Sequence, residues 1–183
     1  YHMMLHSVFR RAVRDRIITF NPCEETELPK VVTQRRRTLT PDEYRRVLAA
    51  VPDKYRLMVQ VAVETGLRWG ELIALRPRHI DFTHRTLTVE ETIVEVPKRA
   101  APNGERMIVK PYPKDNEWRR MGLRPELLEQ LRDHIRDHDL GADDLLFATR
   151  DGTPISRNPF RTRAWKPAIK ASGVDFPVRI HDL

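Results

Sequence analysis

The stretch TGLRWGELIAL, residues 65–75, places two charged side chains inside an apolar segment. Arg68 stands between two hydrophobic residues, and Glu71 follows it three positions later. Burying an unpaired guanidinium costs much free energy, so Arg68 needs either an ion-pair partner or a bound anion. A guanidinium suits phosphate because it offers two parallel donors and stays charged at any working pH. The stretch therefore predicts either an ion pair of Arg68 with Glu64 or Glu71 or a phosphate-binding site.

Positive charge is concentrated at the two ends of the chain. The 183 residues carry a formal net charge of +7, with an excess of +4 over residues 1–40, −1 over residues 41–147 and +4 over residues 148–183. Basic ends around a neutral middle are typical of a surface that follows a polyanion, and nucleic acid is the first candidate. Solubility is the alternative explanation, and charge alone favours neither.

Composition and cysteine content exclude several classes of protein and site. With 40% hydrophobic and 32% charged residues, the chain has the composition of a soluble globular protein. No apolar run approaches the roughly 18 residues that span a bilayer, and the first residues lack a signal-peptide pattern. The single cysteine, Cys23, cannot form an internal disulfide, and no Cys/His cluster has zinc-site spacing. We expect an intracellular protein that needs no metal or cofactor and contacts no membrane.

Two helix signals and a linker predict the domain organisation. Residues 3–16 carry apolar side chains on one helical face, and the segment that follows contains prolines and ends in a basic run at residues 35–37. A helix start comes next, where Thr40 is the N-cap and Glu43 closes a capping box. We therefore predict three segments: the end of an upstream helical domain with the start of a linker over residues 1–30, a basic linker over 31–38, and a second domain over 39–183.

The periodicity of the second domain predicts a mainly α fold with a small antiparallel three-stranded sheet, in the α+β class. Residues 54–66 are apolar nearly all round and end in a glycine, which indicates a central helix. Within residues 81–123, β-branched residues alternate, and we predict three short strands with Lys114 near the tip of the second hairpin. Two amphipathic helices follow, over residues 124–141 and 158–173.

An ordered set of motifs carries a family resemblance. TGLRWGELIAL resembles the first arginine box of the tyrosine recombinases, the phage integrase family, whose common form is T-G-x-R-x-x-E-L followed by an apolar residue. IHDL, residues 180–183, resembles the start of their second box, H-x-L-R-H. The predicted sheet with its hairpin lysine, the LT-x-x-E opening and the basic linker extend the similarity over nearly the whole chain. The resemblance implies the catalytic-domain fold of that family, preceded by the end of its core-binding domain.

The resemblance also implies a reaction and roles for named residues. In that family a tyrosine attacks a DNA phosphodiester, forms a 3′-phosphotyrosyl link and frees a 5′-hydroxyl, without a metal or an external energy source. Arg68 would be the first catalytic arginine, and Glu71 the residue that orients it. Lys114 would be the hairpin lysine that protonates the leaving 5′-oxygen, with Lys110 as the alternative. His181 corresponds to the histidine of the second box, which contacts the scissile phosphate.

Two further catalytic groups of the family fall beyond Leu183. The second arginine stands three positions after the histidine of the second box, and the nucleophilic tyrosine lies further on. All four tyrosines of this chain precede His181. We therefore expect a fragment that holds no nucleophile and cannot complete strand cleavage alone.

The expected ligand is double-stranded DNA at attachment sites. We expect phosphate contacts from five arginines, which are Arg35, Arg36 and Arg37 in the linker and Arg157 and Arg161 near the end. The resemblance further implies a tetramer on DNA in the full-length protein, an accessory directionality factor, and the cytoplasm of a bacterial or phage-infected cell as the place of action. Two other interpretations stay open: a type IB topoisomerase-like or resolvase relative, and a non-catalytic DNA-binding module on the same fold.

Overall fold

The computed structural model describes residues 1–29, 37–101, 104–111 and 119–180. The chain divides into two compact units, Tyr1–Arg37 and Thr38–Leu183. In the described ranges, no helix is both long enough and apolar enough to cross a membrane. The boundary between the units falls at the end of the basic run, and most of the linker predicted over residues 31–38 lies outside the described residues.

Over residues 1–29, the first unit consists of one helix and a turn that folds back on it. Helix α1 (His2–Arg14) has no buried residue, and its apolar side chains Met4, Leu5 and Val8 are exposed. The following turn is held by Asn21, which is 3% exposed and donates from its side chain to the His6 carbonyl at 3.3 Å. The Asn21 side-chain oxygen accepts from the Cys23 backbone N–H at 3.0 Å, so this buried amide is satisfied on both sides.

The second unit is mainly helical, and its described helices surround one apolar core. These helices are α2 (Pro41–Ala50), α3 (Asp53–Thr65), α4 (Trp69–Leu72), α5 (Pro125–Asp137), α6 (Arg157–Phe160) and α7 (Lys166–Ala171). A π-helical turn, Arg161–Trp165, joins α6 to α7, and 3₁₀ turns occupy Pro77–His79 and Lys98–Ala100. The centre of the core is α3, in which Met58, Val59 and Val61 are 0% exposed.

In the part of the chain that the structure describes, five short strands form two antiparallel sheets. Strands β1 (Ile80–Asp81), β2 (Thr86–Val89) and β5 (Arg119–Gly122) form one sheet in the order β1-β2-β5, while β3 (Glu91–Glu95) pairs with β4 (Met107–Pro111). The predicted class, mainly α with a small antiparallel sheet, is confirmed. The expected second hairpin would have paired β4 with β5. In the described ladders, β4 pairs with β3 and β5 pairs with β2 instead. A break in strand structure at Glu90 separates β2 from β3, which lets each half take its own partner.

The start signal of α2 and the stop signal of α3 are confirmed, whereas α5 (Pro125–Asp137) ends four residues before the predicted end at residue 141. The Thr40 backbone N–H donates to Glu43 Oε2 at 2.9 Å, and the Glu43 N–H donates to Thr40 Oγ1 at 3.3 Å, which completes the capping box. Helix α3 ends at Gly66 in the left-handed conformation, with φ of +61°. The predicted inward face of α5 is also present, since Leu127, Leu128 and Leu131 are all buried.

Helix α4 lies against the backbone of β3 with no room for a side chain at Gly70. A Cβ added at Gly70 would lie 2.6 Å from the Ile93 carbonyl oxygen and 2.6 Å from Thr92 Oγ1. The threonine side chain can rotate, but the carbonyl belongs to the β3 ladder and moves only with the strand. Glycine is therefore required here for close approach of two backbones.

We expect Gly70→Ala to lower the free energy of unfolding by about 1–3 kcal/mol, the usual cost of overpacking. The matched control is Gly122→Ala on β5, where an added Cβ meets nothing within 4 Å. Urea denaturation followed by circular dichroism measures both variants. Equal stability of the two alanine variants would contradict the close approach of α4 to β3.

Candidate active site

Arg68 occupies a backbone corner between two helices. Gly66 ends α3, and Arg68 is the N-cap residue of α4, with φ of −66° and ψ of 152°. Its neighbours Leu67 and Trp69 are 5% and 7% exposed, whereas 70% of the Arg68 side chain is exposed. The two apolar neighbours therefore fix the backbone while the guanidinium faces outward.

The carboxylate of Glu71 holds Arg68 by two groups. Glu71 Oε2 accepts from the Arg68 backbone N–H at 2.8 Å, and Oε1 accepts from Arg68 Nη1 at 3.1 Å. The first contact also caps α4, because it satisfies an N–H that has no partner within the helix. Glu71 is 1% exposed, and a second guanidinium, from Arg119 Nη2, reaches its Oε2 at 2.6 Å. A buried carboxylate is thus neutralised by charged donors from two directions.

A groove of about 1040 Å³ runs beside this corner. Its lining includes three arginines, Arg68, Arg106 and Arg157, together with the backbone of β3 and the apolar residue Ile180. Glu95 accepts from Arg106 Nη2 at 3.1 Å and from Ser156 Oγ at 2.9 Å, so it links the sheet to the segment before α6. The groove therefore holds three cationic side chains against one carboxylate, that of Glu95, and this excess of positive charge suits a polyanionic ligand.

Comparison with known proteins decides the family. A family model described as the phage integrase family matches residues 37–183, which is most of the chain. This chain belongs to the phage integrase family. The resemblance to tyrosine recombinases, predicted from the box at residues 65–75 and the order of motifs after it, is confirmed.

Relatives and solved structures agree with this assignment. The integrase of Mycobacterium phage D29 is 30% identical over 98% of this chain, which covers 47% of that protein. The chain thus spans about half the length of the curated relatives it matches. The Tn1549 transposon integrase, solved with a circular intermediate DNA, has a TM-score of 0.78 at 19% identity over 99% of this chain and 62% of its own, a likeness of fold. A lambda integrase tetramer bound to a Holliday junction has a TM-score of 0.61 at 26% identity over 99% of this chain and 49% of its own.

The structure brings together some of the predicted site residues. Arg68 and Glu71 are in contact, and Arg157 lines the same groove. Arg161 is exposed on the π-helical turn, and Arg37 is exposed in the first unit. The remaining predicted residues, Lys114, His181, Arg35 and Arg36, lie outside the described residues. Lys110, the alternative lysine, is exposed on β4 opposite Thr92.

Two arginines of the site, Arg119 and Arg106, were not predicted from the sequence. A signal for the first exists in RRMGL, where alternation places Arg119 on the same face of the strand as Met121. Arg119 and Met121 are partly buried, whereas Arg120 between them is exposed. A charged residue on the inner face of a strand needs a buried partner, and here that partner is Glu71. No comparable pattern marks Arg106, which lies just before β4.

A second ion cluster holds the start of β3. Glu91 Oε1 accepts from Arg76 Nε at 3.1 Å and pairs with Arg78, which also pairs with Asp143. His79 is 3% exposed beneath this cluster, and its Nδ1 accepts from the Arg76 backbone N–H at 3.1 Å. The cluster fixes the loop after α4 to the strand on which α4 packs.

Burial lowers the pKa of His79, although the carboxylates of Glu90 and Glu91 oppose the shift. An unfolded histidine titrates near pH 6.5, and the folded one takes up its proton only at lower pH. The unfolded state therefore binds more protons as the pH falls below about 6.5, and stability present above that pH is lost progressively.

We expect the free energy of unfolding to decrease between about pH 7 and pH 5, and His79→Gln to make this decrease shallower. Urea denaturation at three pH values measures the slope. Burial lowers the pKa of His134 as well, so His134→Gln should remove a further part of the slope. A decrease as steep in His79→Gln as in the wild type would rule out this role for His79.

Proposed function

We propose that the protein to which this chain belongs is a site-specific recombinase that integrates or excises a mobile element by cutting and rejoining DNA strands. The observation that carries the proposal is Arg68, whose guanidinium is held by buried Glu71 on a groove with two further arginines. A DNA phosphate in this groove would meet donors that are oriented before it binds. Such preorganised donors stabilise developing charge more effectively than mobile ones.

In the proposed reaction, the phosphorus of a DNA phosphodiester exchanges its bond to the 5′-oxygen for a bond to a tyrosine oxygen. The phenolic oxygen attacks phosphorus and loses its proton, the bond from phosphorus to the 5′-oxygen breaks, and that oxygen gains a proton. Negative charge increases on the two non-bridging oxygens at the pentacoordinate stage, where Arg68 supplies donors. Rejoining reverses these steps with a new 5′-hydroxyl as the nucleophile, so no external energy source is needed.

Two residues outside the described part are assigned proton-transfer and phosphate-binding roles in this proposal. Lys114 protonates the leaving 5′-oxygen, and His181 contacts the scissile phosphate. Support comes from their flanking residues: Arg119, five positions after Lys114, contacts Glu71, and Ile180, just before His181, lines the groove. In this proposal the nucleophilic tyrosine belongs to the part of the protein beyond Leu183.

Duplex DNA at attachment sites is the proposed substrate. Phosphate contacts come from the five predicted arginines, Arg35, Arg36, Arg37, Arg157 and Arg161. Residues 1–30 belong to a core-binding domain in this proposal, and residues 39–183 to the catalytic domain. The lambda integrase tetramer on a Holliday junction supports a tetramer on DNA here as well. The protein would act in the cytoplasm of a bacterial or phage-infected cell, with an accessory factor setting the direction of recombination.

We expect the full-length protein to form a covalent adduct with a nicked duplex that carries its attachment site, and Arg68→Ala to slow its formation. The short strand beyond the nick diffuses away after cleavage, so the adduct accumulates and is measured on a denaturing gel. Loss of one charged donor to the transition state predicts a rate lower by about 10²–10³-fold.

The matched control for Arg68→Ala is Arg150→Ala, which removes the same charge from a side chain that is 98% exposed. Its cleavage rate should stay within about twofold of the wild type, because rim charges act mainly on association. If the full-length protein bound DNA in a salt-sensitive way but formed no adduct, the recombinase proposal would be wrong. A non-catalytic DNA-binding module would then be the better interpretation.

We expect Lys114→Ala to slow cleavage of ordinary DNA by about 10²–10⁴-fold, the usual contribution of a general acid. A substrate with sulfur in place of the scissile 5′-oxygen tests the role directly, because a thiolate of pKa near 8.5 leaves without protonation. Lys114→Ala should cleave that substrate at nearly the wild-type rate. Lys110→Ala is the control, and if it shows this pattern instead, the acid is Lys110.

A further inference from the structure

Arg119 joins the sheet to the corner that carries Arg68. It is the first residue of β5 and lies opposite Val89 of β2. Its Nη2 donates to Glu71 Oε2 at 2.6 Å, across a separation of 48 residues in the chain. The contact therefore connects two elements that no local sequence signal brings together.

The two carboxylate oxygens of Glu71 have different partners. Oε1 accepts from the Arg68 guanidinium, while Oε2 accepts from Arg119 and from the Arg68 backbone N–H. Because Arg119 occupies Oε2, the carboxylate is kept from turning both oxygens toward the Arg68 side chain. Both guanidinium groups thus contact the same buried carboxylate, one at each of its oxygens.

Glu71 satisfies only part of the Arg119 guanidinium. Its Nε is buried, and among the described residues this atom has no hydrogen-bond partner. The buried Nε is unfavourable for folding, whereas the pairing of Nη2 with buried Glu71 is favourable, so Arg119 contributes to folding as well as to the position of the carboxylate. Arg120, its neighbour on the strand, has the same charge but is exposed and carries no such cost.

We propose that Arg119 is a positioning residue that acts through Glu71 to hold the Arg68 guanidinium in the orientation that receives the scissile phosphate. This inference rests on the proposed recombinase function. Arg119 fixes the carboxylate, and the carboxylate in turn fixes the guanidinium. Cleavage should therefore depend on Arg119 at saturating DNA, whereas the dissociation constant for DNA should change no more than for any single lost charge.

The test uses the full-length protein and the nicked duplex, with single-turnover cleavage rates at saturating protein and dissociation constants from separate titrations. Arg119→Gln should lower the cleavage rate by about tenfold or more, because small displacements of a catalytic group are costly. Arg120→Gln is the control with the same loss of charge, and it should change the cleavage rate by less than about twofold. It should weaken DNA binding as much as Arg119→Gln does. Arg119→Lys should restore most of the rate, since one donor to Oε2 is kept.

The route through Glu71 is tested in a second background. In Glu71→Gln, the further change Arg119→Gln should lower the rate by less than about twofold, because residues that act as a unit are not additive. Comparing Glu71→Gln with the double variant also tests the inference if Arg119→Gln alone does not fold. The double variant has no buried carboxylate at position 71 that could lose its partner.

The outcomes distinguish failure of the proposed function from failure of the positioning role of Arg119. No adduct from the wild type would overturn the proposed function and this inference with it. An adduct from the wild type, with equal rates for Arg119→Gln and Arg120→Gln, would overturn the inference alone. A full additional loss in the Glu71→Gln background would also overturn it, because Arg119 would then act by another route.

Discussion

A carboxylate that is almost wholly removed from solvent, that of Glu71, holds Arg68 by its backbone and its side chain at once. Removing a carboxylate from water is unfavourable unless charged donors surround it, and loss of one partner leaves an uncompensated buried charge. The same contacts therefore serve folding and the orientation of Arg68. A change that loosened the guanidinium would also remove one charged donor from buried Glu71, and the resulting cost in folding free energy favours the observed arrangement.

Acidic residues organise the cationic groups around the sheet in a repeated way. Glu71 receives two arginines, Glu91 receives Arg76 and Arg78, and Glu95 receives Arg106 together with a serine hydroxyl. Long basic side chains lose much rotamer freedom when they bind a ligand, and part of that loss has already occurred here. The basic surface near the groove is thus partly ordered before any nucleic acid is present.

Much of the fold follows from interactions between residues close in sequence. The capping box of Thr40 and Glu43, the left-handed cap at Gly66 and the buried face of α5 were all predicted, because each depends on a few neighbouring residues. The contact of Arg119 with Glu71 was not, because its partners lie 48 residues apart and only tertiary packing selects them. The pairing of β2 with β5 was missed for the same reason, whereas the π-helical turn at Arg161–Trp165 is a local irregularity within the helix predicted over residues 158–173.

For Arg68, the residues alone allowed an ion pair or a phosphate site. The structure shows that the ion pair with Glu71 exists, yet most of the arginine side chain remains exposed. The two interpretations are therefore compatible, because an ion pair that uses one edge of a guanidinium can orient the rest of it. The proposed catalytic role of Arg68 rests on the order of motifs along the chain. That order reflects the family resemblance and does not follow from the physical chemistry of Arg68 alone.

The close approach at Gly70 has a mechanical consequence. Because a Cβ at Gly70 would lie 2.6 Å from the Ile93 carbonyl oxygen, α4 packs directly on the backbone of β3, and a displacement of the strand would displace the helix as well. Arg68 stands at the first end of that helix, and the strand continues into the hairpin beyond it. A displacement of the sheet, for example on ligand binding, is therefore expected to change the position of the Arg68 guanidinium, although the ligand would not touch Arg68 itself.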